Sequence, residues 1–200
     1  MSVLGELQPN KVFKYFEEIC SIPHGSRNLQ QISDYLVDFA KAHELKYRQD
    51  EDLNVIIWKD GSKGYEASEP VILQGHMDMV AVKEADCDKD MKKEGLDLEI
   101  NGDYISAKGT SLGGDDGIAV AYTLAVLDDE EMAHPPIEAI FTVNEEIGML
   151  GAATIDVSDL KGRLFMNMDS EDEGVFTVSC AGGASVICKI PYETETVNAS

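Results

Sequence analysis

Apolar residues recur at helical spacing from the start of the chain. Val12, Phe13, Phe16, Ile19 and Cys20 fall on one face of a helix predicted over residues 9–22. Pro9 suits its first turn. A loop follows, Ser21-Ile22-Pro23-His24-Gly25-Ser26-Arg27. Asn28 is placed to cap a second helix reaching residue 45, with Leu29, Ile32, Leu36 and Phe39 inward. Strands are predicted over residues 46–49 and 54–59. Val71-Ile72-Leu73, a short apolar run after Pro70, reads as a buried strand. Residues 83–94 are charged and irregular, an exposed loop. Leu96, Leu98 and Ile100 alternate with polar residues, Asn101-Gly102 makes a hairpin turn, and residues 104–107 return. An Ala-rich helix over 118–128, a strand over 137–143 and a short helix over 149–155 come next. A turn over 159–162 leads to a fourth buried strand, Leu164-Phe165-Met166-Asn167-Met168. From Gly174 the pattern turns hairpin-like, Val175 to Cys180 and Val186 to Ile190 about Gly182-Gly183. Helices alternating with short buried strands argue an α/β fold.

Two hundred residues suffice for one domain with a real core, or one domain plus a fragment. The formal net charge of −22 disfavours nucleic acid and anionic membranes, which bind through Lys and Arg clusters, and is compatible with cations. Cys20, Cys87, Cys180 and Cys188 form no C-x-x-C pair and read as free thiols in a reducing compartment. The N-terminus has no basic stretch followed by an apolar one, and no window approaches a membrane span. The expectation is a soluble, cytoplasmic protein.

Candidate chemistry gathers where strands end. Gly75 closes the Val71 strand, and His76 and Asp78 follow, two residues apart and so on one side of an extended chain. The C-terminal end of a buried strand is where α/β proteins place ligands. Asp115 and Asp116 open the Ala-rich helix, Glu145 and Glu146 follow the 137–143 strand, and Asp169 follows the 164–168 strand. Each group has a plainer reading: Asp115 or Asp116 as a helix cap, Glu145-Glu146 as a solvated first turn, Asp169 with Ser170-Glu171-Asp172-Glu173 as an acidic loop. Together they would repel unless a cation neutralises them. One imidazole among carboxylates suits zinc, manganese or cobalt better than calcium or magnesium, and a carboxylate shared by two ions is the usual way to hold a two-metal hydrolytic site. His24 and His43 carry no neighbouring ligand pattern and read as non-ligands.

The segments H-M-D-M-V, G-T-S-L-G-G-D-D-G-I, N-E-E-I-G-M and N-M-D-S-E-D-E-G together resemble the aminoacyl-histidine dipeptidases, also called Xaa-His or cytosol non-specific dipeptidases. These belong to the dinuclear zinc metallopeptidases that include carboxypeptidase G and the aminoacylases. The resemblance implies a three-layer, zinc-exopeptidase-like sandwich around a mainly parallel sheet. It implies that His76 and Asp169 ligate one metal, that Asp115 bridges both, and that Glu146 holds the other. Asp78 would orient His76, Glu145 would be the general base, and the Asp115–Asp116 peptide would be cis. Two divalent ions, zinc first with cobalt or manganese as alternatives, and a small peptide substrate follow from it. Family members are more than twice this length. On that comparison residues 1–180 are the N-terminal part of a catalytic domain, truncated on its C-terminal side. Residues 181–200 would begin an inserted lid, through which the full-length form could dimerise. A further histidine ligand of the Glu146 metal would lie in the missing part, since His134 stands in the wrong place. This chain alone is then expected to be inactive. The alternatives are a non-catalytic metal-binding fragment, or a relative acting on another amide, such as an aminotripeptidase or a deacylase.

Overall fold

The computed structural model describes residues 2–170, 174–179, 182 and 186–195. The chain falls into two compact units, Met1–Asp169 and Ser170–Ser200. In the second, residues 175–179 and 186–195 contain no strand. The expected hairpin there also involves Cys180 and Gly183, which lie outside the described residues.

The first unit opens with helices α1 (Asn10–Cys20) and α2 (Gln30–Ala42). The inward positions of both are buried, as their spacing requires, except that Phe13 is only partly so. Asn28 does not cap α2. Its side-chain amide donates to the Lys92 carbonyl, and Leu29 occupies the N-cap with no side-chain cap bond. Strands β1 (Lys46–Gln49), β2 (Val55–Lys59) and β3 (Val71–His76) follow, then a hairpin of β4 (Leu98–Asn101) and β5 (Tyr104–Ala107). Asn101 pairs with Tyr104, so the hairpin turn is Gly102-Asp103, one residue later than expected. Gly102 takes the positive φ that such a tight turn demands. Helix α3 (Gly114–Leu127), β6 (Ile137–Thr142), α4 (Leu150–Thr154) and β7 (Leu164–Asn167) complete the unit.

The main sheet has the order β1-β2-β6-β3-β7. It is mixed: β6, β3 and β7 run parallel, β2 pairs antiparallel with β6, and β1 pairs antiparallel with β2. Val55, Ile57, Leu73, Ala139 and Phe141 join the inward faces of α1, α2 and α3 in one apolar cluster. Alternate residues face the other way. There the Glu138 carboxylate accepts the Lys161 and Gly162 amides, which draws the 155–162 segment across the sheet as a thin third layer.

The strand at 164–168 departs from expectation. β7 is a strand but is not buried: Leu164, Phe165 and Met166 are 58%, 53% and 42% exposed. Among the described residues it pairs with β3 alone and is an edge strand, and an apolar run cannot by itself distinguish an edge from a sheet centre.

Candidate metal centre

Parallel pairing aligns the C-terminal ends of β3, β6 and β7 on one edge. β3 delivers His76 as its last residue, and the chain after β6 delivers Glu145 and Glu146. A side-chain ladder fixes the end of β7. Asn167 donates to Gln74 Oε1 at 2.7 Å, and Gln74 donates to Thr142 Oγ1 at 3.2 Å, so Asp169 emerges beside His76. α3 returns to the same edge. Its first residues are not helical: Gly113 is left-handed, Asp115 and Asp116 leave helical φ/ψ, and the peptide between them is cis, as the resemblance implies. Neither aspartate caps a regular helix. Asp116 is buried and accepts the His76 amide at 3.1 Å.

The His76 ring is buried with its two nitrogens in different surroundings. Nδ1 lies 2.9 Å from the Asp78 carbonyl oxygen and 3.5 Å from Asp78 Oδ1. Nε2 lies 2.9 Å from Asp115 Oδ1 and 3.9 Å from Glu145 Oε2. Two groups of ligand atoms come within 4.8 Å of one another: His76 with Asp115 and Glu146, and His76 with Glu145 and Asp169. The donor set, one imidazole with four carboxylates, fits a borderline divalent cation such as zinc. Either group could hold an ion. Glu145 and Glu146 do not form the first turn of a helix, since α4 starts only at Leu150.

Charges at the site reflect this crowding. Burial opposes a charge on His76, yet the neighbouring Asp78, Asp116 and Asp115 carboxylates prevail and raise its pKa to about 10. Burial would lift Asp78, but His76, the Ser26 hydroxyl and the Glu145 amide hold it below the ordinary carboxylate range. Burial, reinforced by Asp169 and Asp115 against the pull of His76, pushes Asp116 up to about 7. Glu145 is raised by burial and by Asp169, Asp78 and Asp115. Glu146 is raised by burial and by Asp115.

The other histidines stay away from the ligand groups. His43 packs on the Phe39 ring and lies 3.5 Å from Asp128. His24 is buried, with Nδ1 on the Ile22 carbonyl. His134 precedes β6, at the sheet edge opposite His76, with Nδ1 on the Pro135 carbonyl. It therefore cannot supply a missing ligand to this centre. Sequence reading passed over Ser26 and Asn54. Ser26 donates to Asp78 Oδ2 at 2.7 Å across 52 residues, and Asn54 accepts the Val143 amide at 3.1 Å just before the glutamates. No local spacing signals either contact.

An α/β sheet with an imidazole and several carboxylates at the C-terminal ends of its parallel strands is the arrangement of a zinc-exopeptidase-like domain with a candidate metal site. The sequence is 39% identical over 199 residues, 100% of the chain, to the cytosol non-specific dipeptidase of Escherichia coli (strain K12). The chain spans 41% of that relative's length. The crystal structure of aminoacylhistidine dipeptidase from Vibrio alginolyticus matches with a TM-score of 0.83 at 40% identity, over 86% of this chain and 35% of that one. A tripeptidase from Staphylococcus aureus matches with a TM-score of 0.68 at 23% identity, over 84% of this chain and 45% of that one, a likeness of fold alone. No protein-family model matches the sequence. The chain is homologous to these dipeptidases over its whole length.

Proposed function

We propose that these residues form most of the metal centre of a dipeptidase that hydrolyses unblocked dipeptides, Xaa-His among them, in the cytoplasm. The observation that carries this reading is His76 Nε2, turned away from Asp78 and toward Asp115, Glu145, Glu146 and Asp169. Names of relatives supply the substrate class and the compartment: a cytosol non-specific dipeptidase and an aminoacylhistidine dipeptidase. The tripeptidase alternative has only the fold likeness behind it.

In this reading His76, Asp115 and Asp169 would hold one ion, and Asp115 with Glu146 would hold the second. Zinc is favoured by the donor set, with cobalt or manganese as substitutes. When bound, such ions polarise the peptide carbonyl and lower the pKa of water. Asp78 keeps the imidazole oriented through Nδ1 and raises its basicity. Glu145 is the general base. It takes a proton from the attacking water as the C–O bond forms and returns it to the amine as the C–N bond breaks. Its raised pKa brings it nearer to neutral, which suits both halves of that task. Residues from 181 onward would begin a lid, through which a longer form could dimerise.

For the 200-residue chain alone, one observation favours metal binding without turnover. Both ligand groups depend on His76, and its Nδ1 is engaged by Asp78, so Nε2 serves a single ion. Dipeptide hydrolysis with added zinc or manganese, measured on this chain and on a form extended to the relatives' length, tests the reading. Turnover is expected in the extended form and negligible turnover in the short one. No hydrolysis by either would overturn it. In the extended form Glu145→Gln should cost ~10²–10⁴-fold in kcat with metal content unchanged. Glu146→Gln should lower metal occupancy. The opposite pattern would reverse the two roles.

A further inference from the structure

Residues 24–27, a plain loop by composition, run alongside the site and are tied to it at every residue. The Met79 amide donates to the His24 carbonyl at 3.2 Å, and the Ser26 amide donates back to the Met79 carbonyl at 3.2 Å. Gly25 forms a parallel bridge with Met79. A Cβ on Gly25 would stand 2.6 Å from Ala81 Cβ, so this close approach needs glycine. Arg27, with φ of 69°, donates its amide to Asn144 Oδ1 at 2.8 Å, and Asn144, with φ of 53°, directly precedes Glu145. Both ends of the loop are therefore anchored to the segments that carry the site residues.

Ser26 makes the decisive contact. Its hydroxyl donates to Asp78 Oδ2 at 2.7 Å, the one donor to that oxygen among the described residues. The other oxygen, Oδ1, accepts the Glu145 amide at 3.0 Å and lies 3.5 Å from His76 Nδ1. Asp78 is buried, so no solvent substitutes for a lost donor. With Oδ2 held, the carboxylate plane is fixed, and Oδ1 faces both the imidazole and the segment bearing Glu145. With Oδ2 free, the carboxylate can turn about its terminal bond and release both.

We propose that Ser26 is a positioning residue: through Asp78 it sets the placement of His76 and of the Glu145 segment together, with the Arg27–Asn144 contact as the second anchor. Its catalytic meaning rests on the reading of Glu145 as base, whereas the mechanical link does not. Amide hydrogen exchange and zinc titration on the 200-residue chain test the link without any turnover. In Ser26→Ala the Glu145 amide should exchange about tenfold faster, as expected for loss of one charge-assisted hydrogen bond. Zinc affinity should fall about tenfold, as for other supports of metal-bound histidines. Ser26→Thr, which keeps the hydroxyl, should restore both. Ser33→Ala removes a buried hydroxyl that bonds the Leu53 carbonyl, and should change neither. Unchanged exchange at Glu145 in Ser26→Ala would overturn the proposal, as would equal acceleration throughout α1 and α3, which marks general loosening. If Ser26→Ala does not fold, Ser26→Cys gives the same readouts with a weaker donor of similar size. In the extended form Ser26→Ala should lower kcat with KM unchanged, and a normal kcat there would overturn the positioning role. Full activity in Glu145→Gln would instead sink the base assignment and leave the exchange and zinc results standing.

Discussion

His76 concentrates the candidate site's chemistry because its two nitrogens meet different groups, Asp78 at Nδ1 and Asp115 at Nε2. Asp78, Asp116 and Asp115 outweigh burial and favour the protonated ring, its pKa raised to about 10. A raised pKa means that the charged ring stabilises the metal-free fold. That contribution is complete below the ordinary imidazole value of 6.5 and is lost as pH rises through about 10. In the proposed centre zinc would displace the Nε2 proton. Titration at pH 7 in buffers of different ionisation enthalpy is therefore expected to show release of about one proton per zinc. Affinity should rise with pH as the ring gives up its proton more readily. Heats that do not depend on the buffer would mean that the ring is already neutral.

At the scale of elements, β3 and α3 meet so closely that the strand end tolerates no side chain. A Cβ on Gly75 would lie 2.8 Å from Asp116 Oδ2 and 3.0 Å from Ala119 Cβ. Gly75→Ala should therefore push α3 off β3 and disturb the Asp116 bond to the His76 amide. A loss of about 1–3 kcal/mol is expected, read from the midpoint of urea unfolding with an unchanged slope. A wild-type midpoint would show that α3 moves freely there. Nothing in the Val71-Ile72-Leu73 run announces this approach, although the glycine marked the strand's end. Asn28 failed as a cap for a related reason: cap preference is local, and the competing Lys92 carbonyl comes from 64 residues away.

Across the whole molecule, the sheet edge at β7 and the far side of β6 matter most. Among the described residues β7 is paired on one side only and exposes Leu164, Phe165 and Met166, the combination that invites strand addition. The 200-residue chain is expected to self-associate with rising concentration, and Phe165→Lys to reduce this, as judged by light scattering on a sizing column. A wild-type chain that stays monomeric at high concentration would show the edge to be protected. His134 lies on the opposite edge from His76, so no second imidazole reaches the ligand groups among the described residues. Calorimetric titration should accordingly find one tight zinc per chain and a second held only weakly by carboxylates. Two tight equivalents would require another donor.

Local pattern determined much of this protein. The helical spacing of Val12, Phe16 and Ile19 placed α1, and the short apolar runs placed β2, β3 and β6, because each element must bury one face whatever surrounds it. Carboxylates and a histidine at successive strand ends marked the site, since parallel strands necessarily end on one edge. Tertiary structure decided what depends on partners distant in sequence. It made β7 an edge among the described residues, set β2 antiparallel between β1 and β6, and carried His134 to the end of β6 away from His76. It also brought Ser26 to Asp78 and Arg27 to Asn144. A periodic pattern records only whether a residue faces inward or outward. The identity of its neighbour is set by how the elements pack, and that information is spread over the whole chain.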